Sequence, residues 1–183
     1  QKMYLPKLNP SVELIQKMNL QLPFNPKLAI ALIPGAAHQN KEPSNKFWEQ
    51  LAQEFPAQYQ FIIFGGPDRT FDFKIPKSLN MCGQLSLMES IVAASLCKYV
   101  VGVDTGITHG VESLGKEVTI LLGPTGLETG AYPSRATSKI IEQDIFCRPC
   151  SKDGSGPCLW GLGSKRCLNF NPKETLKTIQ END

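Results

Sequence analysis

Three glycine-containing turns are the features of this sequence best suited to hold a ligand. Glycine lets backbone amides approach a bound group closely, and a helix N-terminus just downstream attracts an anion. Each turn follows an apolar run, and the three are Pro34-Gly35-Ala36, Gly65-Gly66-Pro67 and Asp104-Thr105-Gly106. One such turn is a weak signal, because strands also end on glycine where nothing binds. Three turns at one edge of a sheet indicate a binding site.

Two side chains near these turns could bring charge to such a site. Lys46 follows the first turn and is a candidate counter-charge for a phosphate. His109 follows Asp104 in the first turn of a predicted helix, so it can face the same site as Thr105. The alternative interpretation is a solvated lysine and a histidine that packs or caps. Taken with the turns, these residues favour a site for a phosphorylated ligand.

Four of the six cysteines form a second candidate centre near the C-terminus. Their spacing, C-x2-C-x7-C-x8-C, lacks the second close pair of a zinc ribbon, so either a metal or disulfides could join them. We expect the four to cluster and to hold the surrounding segment to the domain in a structural role. A small secreted disulfide scaffold would instead spread its cysteines along the chain. Cys82 and Cys97 lie in apolar segments and are predicted core residues. The clustered four are Cys147, Cys150, Cys158 and Cys167.

Apolar runs that suit buried strands alternate with segments of helical periodicity. Continuous apolar runs are typical of strands in a parallel sheet, which are covered on both faces. Helix starts are predicted at Asn9-Pro10-Ser11, with Asn9 as N-cap, at the Ser86–Glu89 capping box and at Asn171-Pro172. Phe47 to Phe55 also has helical spacing. This order predicts an α/β fold with a doubly wound parallel sheet and right-handed crossovers. The predicted central strands are Leu28–Ile33, Phe61–Phe64, Tyr99–Val103 and Val118–Leu122.

The length of 183 residues, with 41% hydrophobic and 20% charged residues, predicts one globular domain. We expect a leading helix and linker over residues 1–26, an irregular cysteine-rich flap over 126–170 and a terminal helix over 171–183. The net charge of +2 is too small for a dedicated nucleic-acid binder. No apolar run reaches the roughly 18 residues that span a bilayer, so a soluble, cytoplasmic protein is expected. Because the chain begins at Gln1, we expect it to be part of a longer protein.

Three other nucleotide or catalytic patterns are disfavoured. No G-x-G-x-x-G follows a strand, and no G-x-x-x-x-G-K-[ST] is present, so the usual dinucleotide fingerprint and the P-loop are excluded. Asp104-Thr105-Gly106 resembles an aspartic-protease loop, but that chemistry needs two carboxylates that share a proton. The chain holds one such triplet, and the elements around it are those of an α/β protein.

A set of short segments, in this order and spacing, is similar to glycosyltransferase family 9, the group that includes the lipopolysaccharide heptosyltransferases. The resemblance is to the C-terminal, donor-binding half of their two-domain GT-B fold, and it extends from about Leu28 to the last helix. It implies a Rossmann-like sheet. The matching segments are Ile33-Pro34-Gly35-Ala36, Asn45-Lys46-Phe47-Trp48, Phe64-Gly65-Gly66-Pro67-Asp68, Gly83-Gln84-Leu85-Ser86-Leu87, Val103-Asp104-Thr105-Gly106-Ile107-Thr108-His109, Leu122-Gly123-Pro124-Thr125 and Cys147-Arg148-Pro149-Cys150.

The resemblance implies a site for a nucleotide-diphosphate sugar, most often ADP-heptose in this family. By position, Lys46 contacts the diphosphate or the sugar, Leu85 lies beside the base, and Asp104 holds sugar hydroxyls. Asp68 is expected to replace the family's ribose-binding acid, whose place Pro67 takes. Thr105, Gly106 and His109 bind phosphates, and the remaining members line the site. The implied donor-binding set is Gly35, Ala36, Lys46, Gly66, Asp68, Leu85, Asp104, Thr105, Gly106 and His109.

The resemblance also implies what the chain lacks. The family's acceptor site and its proposed catalytic base lie in an N-terminal domain, so the catalytic residues of this chain stay unassigned. The expected reaction is inverting sugar transfer, heptosyl or hexosyl, to a lipopolysaccharide core or similar glycan. The full enzyme would associate peripherally with the inner membrane, and the donor site is expected to need neither cofactor nor metal. The alternative is a non-catalytic nucleotide-sugar-binding module.

Overall fold

The computed structural model describes residues 6–23, 25–68, 71–161 and 164–181. Within these residues, short 3-10 turns join the helices and strands, and the longer elements alternate along most of the chain. The helices are α1 (Val12–Gln21), α2 (Asn45–Glu54), α3 (Leu87–Leu96), α4 (Gly106–Ser113) and α5 (Pro172–Gln180). The strands are β1 (Ala29–Ile33), β2 (Gln60–Ile63), β3 (Ser78–Asn80), β4 (Tyr99–Val103), β5 (Thr119–Leu122) and β6 (Lys139–Glu142).

The strands form one parallel sheet in the order β3-β2-β1-β4-β5-β6. This is the strand order of a Rossmann-type sheet, built outward in two directions from its centre. The four predicted central strands are present and parallel, which confirms that part of the prediction. The order reverses between β1 and β4, and ligands of such sheets bind beyond the carboxyl ends of the strands at this point. The candidate site is therefore expected beside the ends of β1 and β4.

Helices cover both faces of the sheet, as the doubly wound prediction requires. One face packs against α2 and α5, where Trp48 and Leu51 are fully buried. The other packs against α1, α3 and α4, with Met18 and Val92 in its core. The central strands β1, β4 and β5 are buried along their whole length, because both of their faces are covered.

The helix ends largely follow the predicted capping residues. Ser86 and Glu89 form the predicted capping box at α3, with Glu89 N donating to Ser86 Oγ (3.3 Å) and Ser86 N to Glu89 Oε2 (2.9 Å). Asn171 caps α5 as expected. At α1 the prediction of Asn9 as N-cap is wrong, since Ser11 accepts the amide of Leu14 (3.2 Å) instead. The serine hydroxyl two residues downstream of Asn9 supplies the same kind of cap.

Two edge strands were not predicted from the sequence. β3 has three residues and β6 four, and both are half-exposed, so neither shows the continuous apolar run of a central strand. β6 lies inside residues 126–170, which are therefore not wholly irregular as expected. Parts of the predicted end segments, residues 1–5 and 182–183, lie outside the described residues. None of the described helices is both long and apolar enough to cross a membrane.

Candidate functional site

A cavity of about 440 Å³ lies at the carboxyl edge of the sheet, where the strand order reverses. Its volume falls within the roughly 300–1,000 Å³ of small-molecule sites. Turns after β1, β2 and β4 contribute most of the lining, and the start of α3 contributes Leu87. The three glycine turns singled out in the sequence thus meet at one cavity. The lining residues are Gly35, Ala36, Ala37, Gly65, Gly66, Asp68, Leu87, Thr105, Gly106 and Ile107.

Backbone amides at the start of α4 face this cavity without a competing side chain. Thr105 is the N-cap residue of α4, yet its side chain makes no capping hydrogen bond. A Cβ built on Gly106 or on Gly66 would meet no atom within 4 Å, so both backbones border open space. The first amides of a helix lack intrahelical partners and carry a partial positive charge. This edge of the cavity is therefore suited to an anion such as a phosphate.

A polar cluster of four residues lies next to the cavity. It is centred on Asp104, which directly precedes the cavity-lining Thr105. Asp104 Oδ1 is 3.0 Å from His109 Nε2. Asp104 Oδ2 accepts hydrogen bonds from Lys41 Nζ (3.3 Å) and from Thr125 Oγ1 (2.9 Å). The Asp104 side chain is 14% exposed, and that of Lys41 is 11% exposed. The cluster holds one carboxylate against one lysine in a mostly buried position, with an imidazole beside them.

These partners decide the protonation of Asp104. Burial alone raises the pKa of the Asp104 carboxyl. The hydrogen bond to His109, the charge of Lys41 and the hydroxyl of Thr125 together outweigh burial and hold this pKa below its usual range. Asp104 is therefore an anion at neutral pH, able to accept hydrogen bonds from a polar ligand.

The structure brings most of the predicted donor-binding residues together. Asp104 and His109 are joined in the polar cluster rather than in the cavity lining. Leu85 is half-buried against the core on the α3 face, and Leu87 lines the cavity instead. The predicted residues that do line the cavity are Gly35, Ala36, Gly66, Asp68, Thr105 and Gly106.

Lys46 does not lie in the cavity lining, and its predicted contact with a diphosphate or sugar remains untested. Ser44 caps α2, so Lys46 falls in the first helical turn, where its side chain is exposed and outside the cavity lining. The lysine beside Asp104 is Lys41, which is buried at the end of a 3-10 turn over Gln39–Lys41. The turn after β1 is held in shape by a hydrogen bond from Ala36 N to Glu42 Oε1 (2.9 Å).

Sequence reasoning missed Lys41 and Thr125, although part of the signal was available for Lys41. The apolar residues Phe47 and Trp48 define the buried face of α2, and the helical period then turns Lys46 outward. That period indicates that Lys46 is exposed, and it leaves Lys41 as a second candidate lysine of this loop. Thr125 lies in the matching segment Leu122-Gly123-Pro124-Thr125, but its role is not visible locally, because its contact with Asp104 crosses from the end of β5 to the end of β4.

The six cysteines are all free thiols, and no three His, Cys, Asp or Glu side chains of the described ranges stand close enough to hold a metal. The four clustered cysteines nevertheless interact through space. Burial and the neighbouring Cys147 and Cys158 raise the pKa of the Cys150 thiol. Burial, with Cys150 next, raises the pKa of Cys167 to about 11. Whether a metal or disulfides join the four stays a prediction, while Cys97 is a buried core residue as predicted.

The chain is similar in fold to solved heptosyltransferase structures. It aligns with E. coli ADP-heptose lps heptosyltransferase II at a TM-score of 0.74 and 19% identity, covering 98% of this chain and 54% of that one. A family 9 glycosyl transferase from Veillonella parvula aligns at 0.72 and 17%, covering 96% and 52%. E. coli heptosyltransferase WaaC with ADP aligns at 0.56 and 17%, covering 74% and 44%. The chain thus spans about half the length of these proteins.

A family model gives the matching sequence signal. No curated protein sequence matches the chain at a significant level. The model of glycosyltransferase family 9 (heptosyltransferase), however, matches residues 4–156, which is most of the chain. At the low identities of the solved structures, their similarity establishes the Rossmann-like fold alone. On the family match, the chain belongs to glycosyltransferase family 9.

Proposed function

We propose that this chain binds a nucleotide-diphosphate sugar, with ADP-heptose as the first candidate, and is the donor-binding half of a glycosyltransferase. One observation carries the proposal: an open cavity at the reversal point of a Rossmann-type sheet lies beside the Asp104 cluster. A diphosphate is bound by cationic hydrogen-bond donors, and the hydroxyls of a sugar are bound by hydrogen-bond acceptors. The Asp104 cluster and the cavity edge offer both.

The roles follow from the chemistry of each group. The amides at the start of α4, with Lys41, are suited to the diphosphate, whose negative charge grows as it departs. Asp104 is suited to accept hydrogen bonds from sugar hydroxyls, and Leu87 and Asp68 to contact the nucleoside. In the proposed displacement an acceptor oxygen bonds to the anomeric carbon, and the bond from that carbon to the diphosphate oxygen breaks. The base that takes the acceptor's proton belongs to the half outside this chain.

The names of two structures of one relative, E. coli heptosyltransferase WaaC, support the choice of nucleotide. One is a heptosyltransferase with ADP, and another structure holds ADP-2-deoxy-2-fluoro heptose, aligning over 82% of this chain at a TM-score of 0.57. This chain covers 44% and 46% of the protein in the two structures. We therefore assign the acceptor, a lipopolysaccharide core or a similar glycan, to the other half.

Titration calorimetry with ADP-, UDP- and GDP-sugars and with free ADP tests the donor assignment. We expect ADP-sugars to bind best. Asp104→Asn should spare free ADP and weaken the intact ADP-sugar, because the partner of Asp104 is the sugar. Thr129→Val serves as the control, since its hydroxyl bonds only within its own turn, to Gly126. Absence of binding by every nucleotide and nucleotide sugar would refute the proposal.

A release assay tests whether the chain acts as a half enzyme. The chain is mixed with ADP-heptose and a lipopolysaccharide core preparation, and released ADP is measured over time. We expect donor binding without transfer, because we assign the acceptor site to the other half. Measurable transfer by this chain alone would overturn the half-enzyme interpretation and leave donor binding intact.

A further inference from the structure

The two groups that bond to Asp104 Oδ2 come from different parts of the chain. Thr125 lies on the loop after β5, and Lys41 lies on the loop after β1. Neither residue lies in a strand or an α-helix, so contacts from elsewhere in the chain contribute to holding their positions. Residues 147–156, here called the clamp segment, contact both loops.

The clamp segment satisfies three consecutive carbonyl groups of the loop after β5. Arg148 Nε donates to Gly123 O, and Arg148 Nη2 donates to Thr125 O at 3.0 Å. Between them, the amides of Cys150 and Ser151 donate to Pro124 O at 3.0 and 3.2 Å. The loop therefore has its carbonyls fixed on both sides of Pro124, and Thr125 is fully buried.

Arg148 is well suited to this task because every part of its guanidinium is engaged. Nη1 donates to Gln143 O (3.1 Å), and Nη2 also reaches Glu142 Oε2 (3.0 Å). The side chain is 8% exposed. A planar guanidinium holds several acceptors in fixed relative directions, which a lysine or glutamine cannot reproduce. Arg148 thus links the end of β5 to the end of β6 through hydrogen bonds next to Thr125.

The same segment fixes the loop that carries Lys41. Asn40 Nδ2 donates to Gly154 O (3.3 Å) and to Gly156 O (2.7 Å). Gly154 packs directly on the Lys41 stem, since a Cβ there would lie 2.7 Å from Lys41 Cγ. Its φ of +90° also favours glycine. The clamp segment thereby confines Lys41 to the side of Asp104.

We propose that the clamp segment positions Asp104 for the donor sugar, with Arg148 acting through Thr125 and Asn40 acting through Lys41. Arg148 and Asn40 are then positioning residues that touch no substrate. The functional part of this inference rests on the proposed function. The structural part, control of the Asp104 carboxylate from a segment on another loop, can be measured without any ligand.

Carboxyl ¹³C NMR measures the titration of Asp104 in the Arg148→Gln variant. Loss of Arg148 frees the loop after β5, so Asp104 loses the Thr125 hydroxyl and its pKa should rise toward the usual range. The groups that most strongly lower the pKa of Asp104 are His109, Lys41 and Thr125, so the main route from Arg148 to this titration runs through Thr125. Thr125→Val should raise the same pKa, and the double variant should raise it no further than Thr125→Val alone.

Arg166→Gln is the matched control, because it removes the same charge from a nearby residue that stacks on Trp160. It should leave the Asp104 titration unchanged. Asn40→Ala provides a second route if Arg148→Gln fails to fold: loosening Lys41 should also raise the Asp104 pKa. For the intact ADP-sugar we expect Arg148→Gln to weaken binding about three- to tenfold, while free ADP changes less.

The outcomes separate this inference from the proposed function. If the wild-type chain binds no nucleotide sugar, the donor assignment fails, but the NMR titration still tests the clamp segment. If folded Arg148→Gln and Asn40→Ala chains both titrate at Asp104 like the Arg166→Gln control, the inference is overturned. An additive double variant with Thr125→Val would equally contradict action through Thr125.

Discussion

At the scale of single residues, the site depends on the groups that balance the negative charge of Asp104. Its carboxylate lies between Lys41 and His109, and a third donor, Thr125, completes its contacts. Removing one partner of a mostly buried ion pair leaves the other charge uncompensated, which costs more than the pair contributes when intact. Lys41 therefore stabilises the charge of Asp104, in addition to the contact with a diphosphate proposed above.

The two lysines of this region give a matched pair of variants. Lys41→Ala removes a buried cation beside the cavity, and loss of a charge-assisted contact costs roughly 1.5–3 kcal/mol. We therefore expect ADP affinity to fall about ten- to a hundredfold, as measured by calorimetry. Lys46→Ala removes an exposed lysine five residues away in sequence and should leave ADP affinity within about twofold.

Equal losses of ADP affinity in the two variants would support the predicted contact of Lys46 with the ligand. An unchanged ADP affinity in Lys41→Ala would show that Lys41 does not contact the diphosphate. Circular dichroism must first show that both variants are folded, because Lys41 is also a partner of Asp104.

At the scale of elements, β4 carries the site and depends on a close approach. Gly102 lies two residues before Asp104, and a Cβ there would overlap Thr108 Oγ1 and come within 2.9 Å of Ile33 Cβ. Both neighbours belong to packed elements that cannot move away freely. Gly102→Ala should therefore destabilise the chain by about 1–3 kcal/mol through overpacking.

Urea unfolding measures this difference. Gly156→Ala is the control, because a Cβ at Gly156 would meet Ser151 Oγ at an ordinary 3.8 Å. If Gly102→Ala were as stable as Gly156→Ala, the close packing of α4 on β1 and β4 would be wrong.

At the same scale, a metal or disulfides are predicted to join the four C-terminal cysteines. Thiols are counted after denaturation without a reductant, so that buried thiols also react, and metal content is measured on the native sample. If a metal or disulfides join Cys147, Cys150, Cys158 and Cys167, the sample holds one metal per chain or shows fewer than six free thiols. Six reactive thiols with no metal would contradict the prediction. Cys97, with a pKa raised by burial to about 12, should react only after unfolding.

The sequence was sufficient for elements whose burial is continuous and local. β1 and β4 are apolar from end to end, and the Ser86–Glu89 capping box is a contact between near neighbours, so both could be predicted. β6 has polar residues at both ends and is stabilised by pairing with β5, a contact distant in sequence. The same distinction separates Gly106, predicted from its turn, from Thr125, whose role arises only when β4 and β5 lie side by side.

At the scale of the whole molecule, the Asp104 cluster makes stability depend on pH. The pKa of Asp104 is lower in the folded chain, so the cluster contributes its full stability above the ordinary aspartate pKa of about 3.9. That contribution is lost as the pH falls through the lower folded-state pKa. Asp104→Asn should therefore be less stable than the wild type at pH 7, and the difference should shrink below about pH 4.

Denaturant unfolding at a series of pH values from 7 downward checks this dependence. Other carboxyls titrate in the same window, including Glu89, whose pKa is lowered to about 2 by Lys17 and Ser86. The difference between wild type and Asp104→Asn cancels their contribution. A difference that stays constant over the whole range would show that Asp104 does not titrate as described.

We propose that the ligand of this molecule binds at the carboxyl edge of the sheet. The chain has another cavity at the opposite edge, lined by Lys98, Lys116 and Lys139, which could also attract an anion. A titration of the ¹⁵N-labelled chain with ADP distinguishes the two edges. We expect the amide signals of Gly35, Gly66 and Gly106 to shift in a saturable manner. Shifts confined to residues around Lys98 and Lys116, with these glycine amides unchanged, would contradict binding at the carboxyl edge.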